Sequence, residues 1–377
     1  VKKKRIVVKI GSSSLTNVNG GLCLEKLQEH VEALARLKEA GHEVILVSSG
    51  AVAAGFTDLG YAMRPVSIVG KQAAASVGQG QLLQAYSEEF KKHRVVSAQL
   101  LLTRQNLLAK DLYQNAEATL SELLKRKVLP IINENDSVSV EGLTFGDNDM
   151  LSALVSGLVQ AQLLVILTDI NGIYRENPRS NPNAERYDFL SEIPDELIEA
   201  TSSEGSELGT GGMKSKVEAA QTALALGAQV FIGTGAGSEK LLKILEGNGD
   251  GTYIGDDPQA TVKNSKQWLA LHSIPLGKIK VDNGAALAIS EQGRSLLPVG
   301  VIDIAGNFTA NDVVEVVDPA GQIVGRGQVN YSSEELLEIK GLCSQEANVI
   351  TKTGKRQVVI HRNQWFSHTG KGTITHE

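Results

Sequence analysis

A lysine stands near the end of the apolar run Arg5–Ile10, and a Gly/Ser loop follows it: Lys9-Ile10-Gly11-Ser12-Ser13-Ser14. Backbone amides in such a loop can turn toward an anion, and Lys9 would meet a phosphate there. A solvated edge lysine beside a polar turn accounts for the same residues, and the segment alone does not choose. In Ser48-Ser49-Gly50-Ala51-Val52-Ala53-Ala54-Gly55, small residues let the backbone approach a ligand closely. Ser49 offers a hydroxyl at a helix start, suited to a carboxylate, although Ser48 or Ser49 capping that helix explains it equally well. Asn133-Glu134-Asn135-Asp136 and Gly146-Asp147-Asn148-Asp149 gather more amide and acid side chains than turns and caps usually need. Such groups suit the binding of an amine and the orientation of cations. Asp149 directly precedes an apolar helix, which is also the place of an N-cap, and the two roles are compatible. The apolar run Leu163–Leu167 delivers Thr168 and Asp169, placed to meet the ribose or base of a nucleotide or else to form a turn. Finally, Thr210-Gly211-Gly212-Met213-Lys214-Ser215-Lys216 opens a helix, so that glycines, amides and two lysines converge on a positive helix end as a phosphate cradle. GxxxxGK[ST] is absent and no GxGxxG follows the first strand, which disfavours both common nucleotide-binding folds.

These residues need a scaffold, and 377 residues exceed the roughly 150 of one domain, so two domains are expected. A hydrophobic content of 42% with 21% charged residues is that of a chain able to bury a sizeable core. The net charge of −6 argues against a protein shaped to collect around DNA. Cys23 and Cys343 lie far apart without a CxxC, HxxxH or HExxH partner, which disfavours a zinc site or disulfide scaffold and fits a reducing cytoplasm. The apolar run behind the basic Val1–Arg5 is broken by Lys9 and is too short for a signal peptide, and no window approaches the ~18 apolar residues of a membrane span.

Strands are expected at Arg5–Ile10, Glu43–Ser48, Val95–Leu101, Val128–Ile132, Leu163–Leu167 and Gln229–Ile232. Helices are expected at Leu24–Ala40, Val66–Lys91, Asn115–Arg126, Met150–Gln160 and Lys214–Leu226. This alternation predicts an α/β domain over 1–256, a doubly wound, mostly parallel sheet sandwiched by helices, with its site beyond the carboxyl ends of the strands. A linker at 257–276, a small β-rich domain at 277–365 with little helix, and a frayed tail at 366–377 complete the expectation.

Taken in order, VKIGSSS, VSSGA, NEND, GDND, LTDINGIY and GTGGMKSK resemble the amino acid kinase family over nearly the whole chain. NEND followed by GDNDMLSA and GTGGM is most similar to the branch acting on glutamate. Asp282-Asn283-Gly284-Ala285, Ser295-Leu296-Leu297-Pro298-Val299-Gly300 and Asp312-Val313-Val314 resemble the PUA domain appended to many bacterial members. Lys214-Ser215 stands where relatives often have Ser-Thr, and Asn311 where glycine is common.

The resemblance implies transfer of the ATP γ-phosphoryl to the side-chain carboxylate of L-glutamate, giving L-glutamyl 5-phosphate in the first step of proline biosynthesis. It implies that Lys9 and Lys216 hold the transferring phosphoryl with Asp149 orienting both ammonium groups, and that Ser49, Asp136, Asn148 and Asn133 bind glutamate. ATP falls to Lys9, Thr168, Asp169 and Thr210–Lys216, with Mg²⁺ held mainly through the phosphates. Proline inhibition and a homodimer or homotetramer are further implications. A glutamate carboxylate, with pKa about 4.3, is already an ionised nucleophile, so no general base is required. Relatives acting on acetylglutamate, aspartate or carbamate are disfavoured by the NEND/GDND pair. A PUA domain also raises RNA binding, against which no Lys/Arg stripe with interleaved aromatics lies between Lys278 and Lys340.

Overall fold

The computed structural model describes residues 3–103, 106–107, 110–138, 148–176, 178, 181, 183–194, 196–198, 212–255, 275–343, 346–347, 350 and 358–367. The chain divides into two compact units, Val1–Val262 and Lys263–Glu377.

In the first unit, β1 (Arg5–Ile10), β2 (Glu43–Ser48), β3 (Ser97–Leu102), β4 (Leu129–Glu134) and β5 (Leu163–Leu167) form a parallel core. The short strands β6 (Ile173–Tyr174) and β7 (Arg186–Tyr187) pair with each other, while β8 (Phe189–Leu190), β9 (Gln229–Gly233) and β10 (Gly251–Ile254) extend the main sheet. Its order is β3-β4-β2-β1-β5-β9-β10-β8, with β10 antiparallel to β9. Beyond their first residue β1 and β2 are buried throughout, the continuous apolar pattern that a strand covered on both faces requires. From β1 the chain builds outward through β2, then crosses back from β4 to place β5 on the other side of β1. The crevice of this fold therefore opens at the carboxyl end of β1.

The helices are α1 (Leu24–Glu39), α2 (Ala51–Gly55), α3 (Ile68–Lys92), α4 (Lys110–Lys125), α5 (Asn148–Leu158), α6 (Met213–Ala225) and α7 (Lys240–Leu245). Boundaries differ from expectation where neighbours extend an element. β4 continues through Asn133 and Glu134, which pair with Leu101 and Leu102 of β3, so the first half of the amide and acid cluster belongs to a strand. α4 begins at Lys110 because Tyr113 lies on the same buried stripe as Ala116, Leu120 and Leu124.

α2 and α3 cross at a glycine pair. A Cβ on Gly78 would fall 1.9 Å from the Ala51 carbonyl oxygen, and one on Gly55 would fall 2.2 Å from that of Ala74. Gly78→Ala is expected to destabilise the unit by about 3 kcal/mol, since backbone rather than a flexible side chain must yield. At Gly80, where nothing lies within 4 Å, the same change should stabilise by about 0.5–1 kcal/mol. Urea midpoints of the two variants would separate in opposite directions from the parent; a shared midpoint would contradict the contact.

The second unit is a five-stranded sheet ordered β12-β11-β13-β14-β15, from β11 (Gly277–Val281), β12 (Val301–Gly306), β13 (Val313–Val317), β14 (Ile323–Val329) and β15 (Ile360–Ser367). Its core gathers Ile279, Val281, Val314, Val316, Val329, Tyr331 and Trp365. The unit carries more helix than expected: α8 (Asn283–Ser290) is capped by Asp282, which accepts from the Ala285 N–H, and α9 (Ser333–Ile339) opens on a Ser332/Glu335 capping box. β15 runs two residues into the segment expected to be a tail, because Trp365, Phe366 and Ser367 pair with β14; residues 368–377 lie outside the described residues. Asn311 takes a left-handed φ of 77°, a conformation that asparagine tolerates better than most residues, so it can stand where glycine is common.

Candidate active site

The carboxyl ends of β1, β2 and β4, with the first turns of α5 and α6, bring most of the predicted residues together. α5 begins at Asn148, so Asp149 lies in its first turn rather than at the cap. α5 is buried along nearly its whole length, packed against α6 and β1, which leaves the Asp149 carboxylate fully shielded from solvent. Lys9 Nζ lies 2.5 Å from Asp149 Oδ1, and Lys216 Nζ lies 3.1 Å from Oδ2. Both ammonium groups are almost wholly buried. Lys9 is thus no solvated edge lysine. A Cβ on Gly11 would come within 3.4 Å of Lys9 Nζ, so the Gly/Ser loop passes directly over the amine. Burial alone would raise the Asp149 pKa, but the two ammonium groups outweigh it and bring the carboxyl down to about 2. Ser215 Oγ lies 3.1 Å from Asp149 Oδ2 and 2.9 Å from the Gly212 carbonyl, so its hydroxyl faces inward toward the same carboxylate.

Lys9, Asp149 and Lys216 bring two ammonium groups and one carboxylate together in a buried setting, an arrangement suited to an anion. Lys214 stands apart from them: its side chain is exposed and 3.9 Å from Glu218. Two residues along a helix turn about 200°, so Lys214 and Lys216 face opposite ways and only one of the two expected lysines enters the cluster. Gly212 is the cap residue of α6, and Met213 begins the helix half-buried; Thr210 and Gly211 lie outside the described residues, as do Gly146 and Asp147.

Beside the charges lies a buried amide network. Asn148 Nδ2 is 2.9 Å from Ser49 Oγ, 3.0 Å from the Ser48 carbonyl and 3.0 Å from Asn133 Oδ1. Asn133 Nδ2 donates to Gln79 Oε1 at 2.9 Å, and Asn133 Oδ1 also accepts from the Glu134 N–H. The cap residue of α2 is Gly50, in a left-handed φ of 104° that favours glycine, so neither serine caps that helix. Ser48 Oγ donates toward the Ser49 carbonyl and lies 2.9 Å from Tyr86 Oη. Burial pushes the Tyr86 phenol up, with Ser48 opposing, so it keeps its proton to donate. Asp136 lies half-buried in the turn after β4; burial raises its carboxyl pKa and Arg64 opposes the rise.

Thr168 and Asp169 sit one strand away, past the end of β5, where the Thr168 hydroxyl donates to Asp169 Oδ1 and the Thr168 N–H donates to the Gly233 carbonyl. Asp169 is exposed. Gln79 and Tyr86 of α3 were missed in the sequence. The usable signal was a glutamine at an inward position of a helix whose buried residues Ala75, Gln79, Leu82 and Tyr86 recur at three- and four-residue steps.

A sequence model of the Amino acid kinase family matches residues 4–234, and one of the PUA domain matches residues 277–350. The chain belongs to the amino acid kinase family. Membership makes it an enzyme, a phosphotransferase. Within that family it is similar over its length to a Glutamate 5-kinase of Bacillus cereus, 59% identical over 369 residues that cover 97% of this chain and 100% of that protein. A Glutamate 5-kinase 1 of Bacillus licheniformis is 58% identical over 367 residues, covering 97% and 99%. Among solved structures, the Carbamate kinase from Giardia lamblia bound to AMP-PNP shares the fold with a TM-score of 0.50 at 16% identity, covering 68% of this chain and 99% of that one. Among the described residues no helix of this family member is long and apolar enough to cross a membrane.

Proposed function

We infer that the chain transfers the γ-phosphoryl group of ATP to the side-chain carboxylate of L-glutamate, giving L-glutamyl 5-phosphate and ADP, the first step of proline biosynthesis. The observation that carries this reading is the buried Lys9–Asp149–Lys216 cluster, two ammonium groups on one carboxylate, set against the amides Asn133 and Asn148. A glutamate carboxylate arrives ionised, so the protein's task is to align it with the donor and to cancel charge between two anions. Phosphoryl transfer passes through a loose transition state with charge spread over the equatorial oxygens, and two oriented ammonium groups match that charge. Asp149 keeps both amines aimed before substrate arrives.

In this reading Ser49, Asn133, Asp136 and Asn148 receive glutamate, while Thr168, Asp169 and the segment through Lys216 receive ATP. Bound with the nucleotide, Mg²⁺ would supply charge neutralisation at the phosphates. Both Asp149 oxygens already face ammonium groups, and no group of three or more His, Cys, Asp or Glu side chains suited to a metal occurs among the described residues. In this proposal the ion would be held mainly through the phosphates. Residues 1–256 carry the chemistry, 257–276 link, and the PUA-like unit expected over 277–365 runs on through the end of β15 at Ser367. A cytoplasmic homodimer or homotetramer inhibited by proline, which shares the α-carboxylate and amine of glutamate, completes the proposal.

The test is ATP-dependent trapping of the acyl phosphate with hydroxylamine, offering L-glutamate, N-acetyl-L-glutamate and L-aspartate with and without proline. Hydroxamate from glutamate alone, suppressed by proline, is expected; product from another acid only would overturn the acceptor. Asp136→Ala should raise the KM for glutamate about tenfold or more, as the loss of a charged hydrogen-bond partner for an amine requires, with kcat little changed. An unchanged KM would remove Asp136 from the acceptor site.

A further inference from the structure

Gln79 and Tyr86 of α3, two helical turns apart on one buried face, reach the amide network, Gln79 at Asn133 and Tyr86 at the Ser48 hydroxyl. The polarity of that network is determined by its ends. Ser49 Oγ, the Ser48 carbonyl and Asn133 Oδ1 all surround Asn148 Nδ2, so the amino end of Asn148 is identified and its Oδ1 is left buried without a hydrogen-bond partner among the described residues. The arrangement requires Asn133 to present its carbonyl oxygen to Asn148. Were the Asn133 amide turned over, two NH₂ groups would face each other in a buried setting. Two partners hold Asn133 in the working orientation: the Glu134 N–H donates to Oδ1, and Gln79 Oε1 accepts from Nδ2 at 2.9 Å.

We propose that Gln79 is a positioning residue for the acceptor: by accepting from Asn133 Nδ2 it completes, with the Glu134 N–H, the set of partners that orients the Asn133–Asn148 pair, and so keeps the buried Asn148 carbonyl oxygen available to a donor on the incoming amino acid. The proposal rests on the glutamate-binding reading above. It depends on an acceptor atom at position 79 and not on volume or charge, which separates it from a packing role.

Gln79→Leu removes the acceptor, whereas Gln79→Glu retains it, because a carboxylate accepts through either oxygen. Steady-state kinetics of the full chain should give Gln79→Leu a KM for L-glutamate about tenfold above the parent, the equivalent of one buried hydrogen bond, with the KM for ATP within about twofold. Gln79→Glu should return the glutamate KM to within about threefold of the parent. A glutamate KM unmoved by Gln79→Leu would overturn the proposal, as would Gln79→Glu proving as damaging as Gln79→Leu. If Gln79→Leu does not accumulate as folded protein, Gln79→Met, unbranched and without an acceptor of comparable strength, decides by the same comparison. A parent that forms no glutamate-dependent hydroxamate would overturn the functional reading and this proposal with it; an active parent with indifferent variants would overturn this proposal alone.

Discussion

Replacing Lys216 by alanine is expected to lower kcat by about 10²–10³-fold, the cost of removing one oriented donor from developing negative charge. The KM for ATP should change by less than about fivefold, since ground-state affinity for a nucleotide is spread over many groups. The asymmetry follows from geometry. Lys216 is buried at the start of α6 and held 3.1 Å from Asp149, so its amine is spent on one place in the site rather than on general attraction of a polyanion. Lys216→Arg should remain impaired, because a planar fork cannot occupy the space of a compact ammonium paired to a single carboxylate oxygen. Initial rates over a matrix of ATP and glutamate concentrations check this, and a near-normal kcat for Lys216→Ala would remove the residue from the transition state.

Asp149→Asn is expected to act on stability as well as on rate. The carboxylate is the shared counter-charge of two buried ammonium groups, and its loss removes the attraction to both and leaves Lys9 and Lys216 repelling each other. Breaking a buried pair in this way typically costs about 3–5 kcal/mol. The pH dependence has a definite sign. Burial opposes ionisation of Asp149, but the two lysines prevail and hold its pKa at about 2, below the ordinary 3.8. A depressed carboxylate contributes stability that is fully present above the unfolded value and disappears as pH falls through the folded one. The deficit of Asp149→Asn relative to the parent should therefore stay constant from neutral pH down to about pH 5 and shrink below about pH 4. Chemical denaturation across that range reads it; a deficit that grew toward acid would contradict the assigned pairing. ATP should stabilise the variant more than the parent, because the phosphates supply the missing negative charge.

The parallel sheet was legible because strands buried on both faces are written as unbroken apolar runs, and β1, β2 and β5 fall where those runs predict. Lys9 and Asp149 were legible because a charged residue at a strand or helix end within such a run needs a reason. What the sequence concealed lies in contacts between distant elements. That Asp149 orients both lysines is implied by the family resemblance; its residues alone are equally those of a cap, because the pairing depends on β1, α5 and α6 meeting across separations of 140 and 67 residues. Lys214 looked equivalent to Lys216 in a linear motif, and only the helical turn separates their faces. Gln79 was concealed for the same reason: in the chain it is one polar residue of an amphipathic helix, and it acquires meaning from Asn133, 54 positions away.

β1 shares backbone hydrogen bonds with β2 on one side and β5 on the other. In the proposed assignment the acceptor lies over the ends of β2 and β4, the donor over the end of β5, and Lys9 between them. Both substrates then rest on one continuous sheet instead of on two lobes joined by a hinge. Such a site has to hold donor and acceptor together before anything reacts. Its kinetics belong to the ternary-complex type, with intersecting double-reciprocal lines and no exchange of label between ADP and ATP unless glutamate is present.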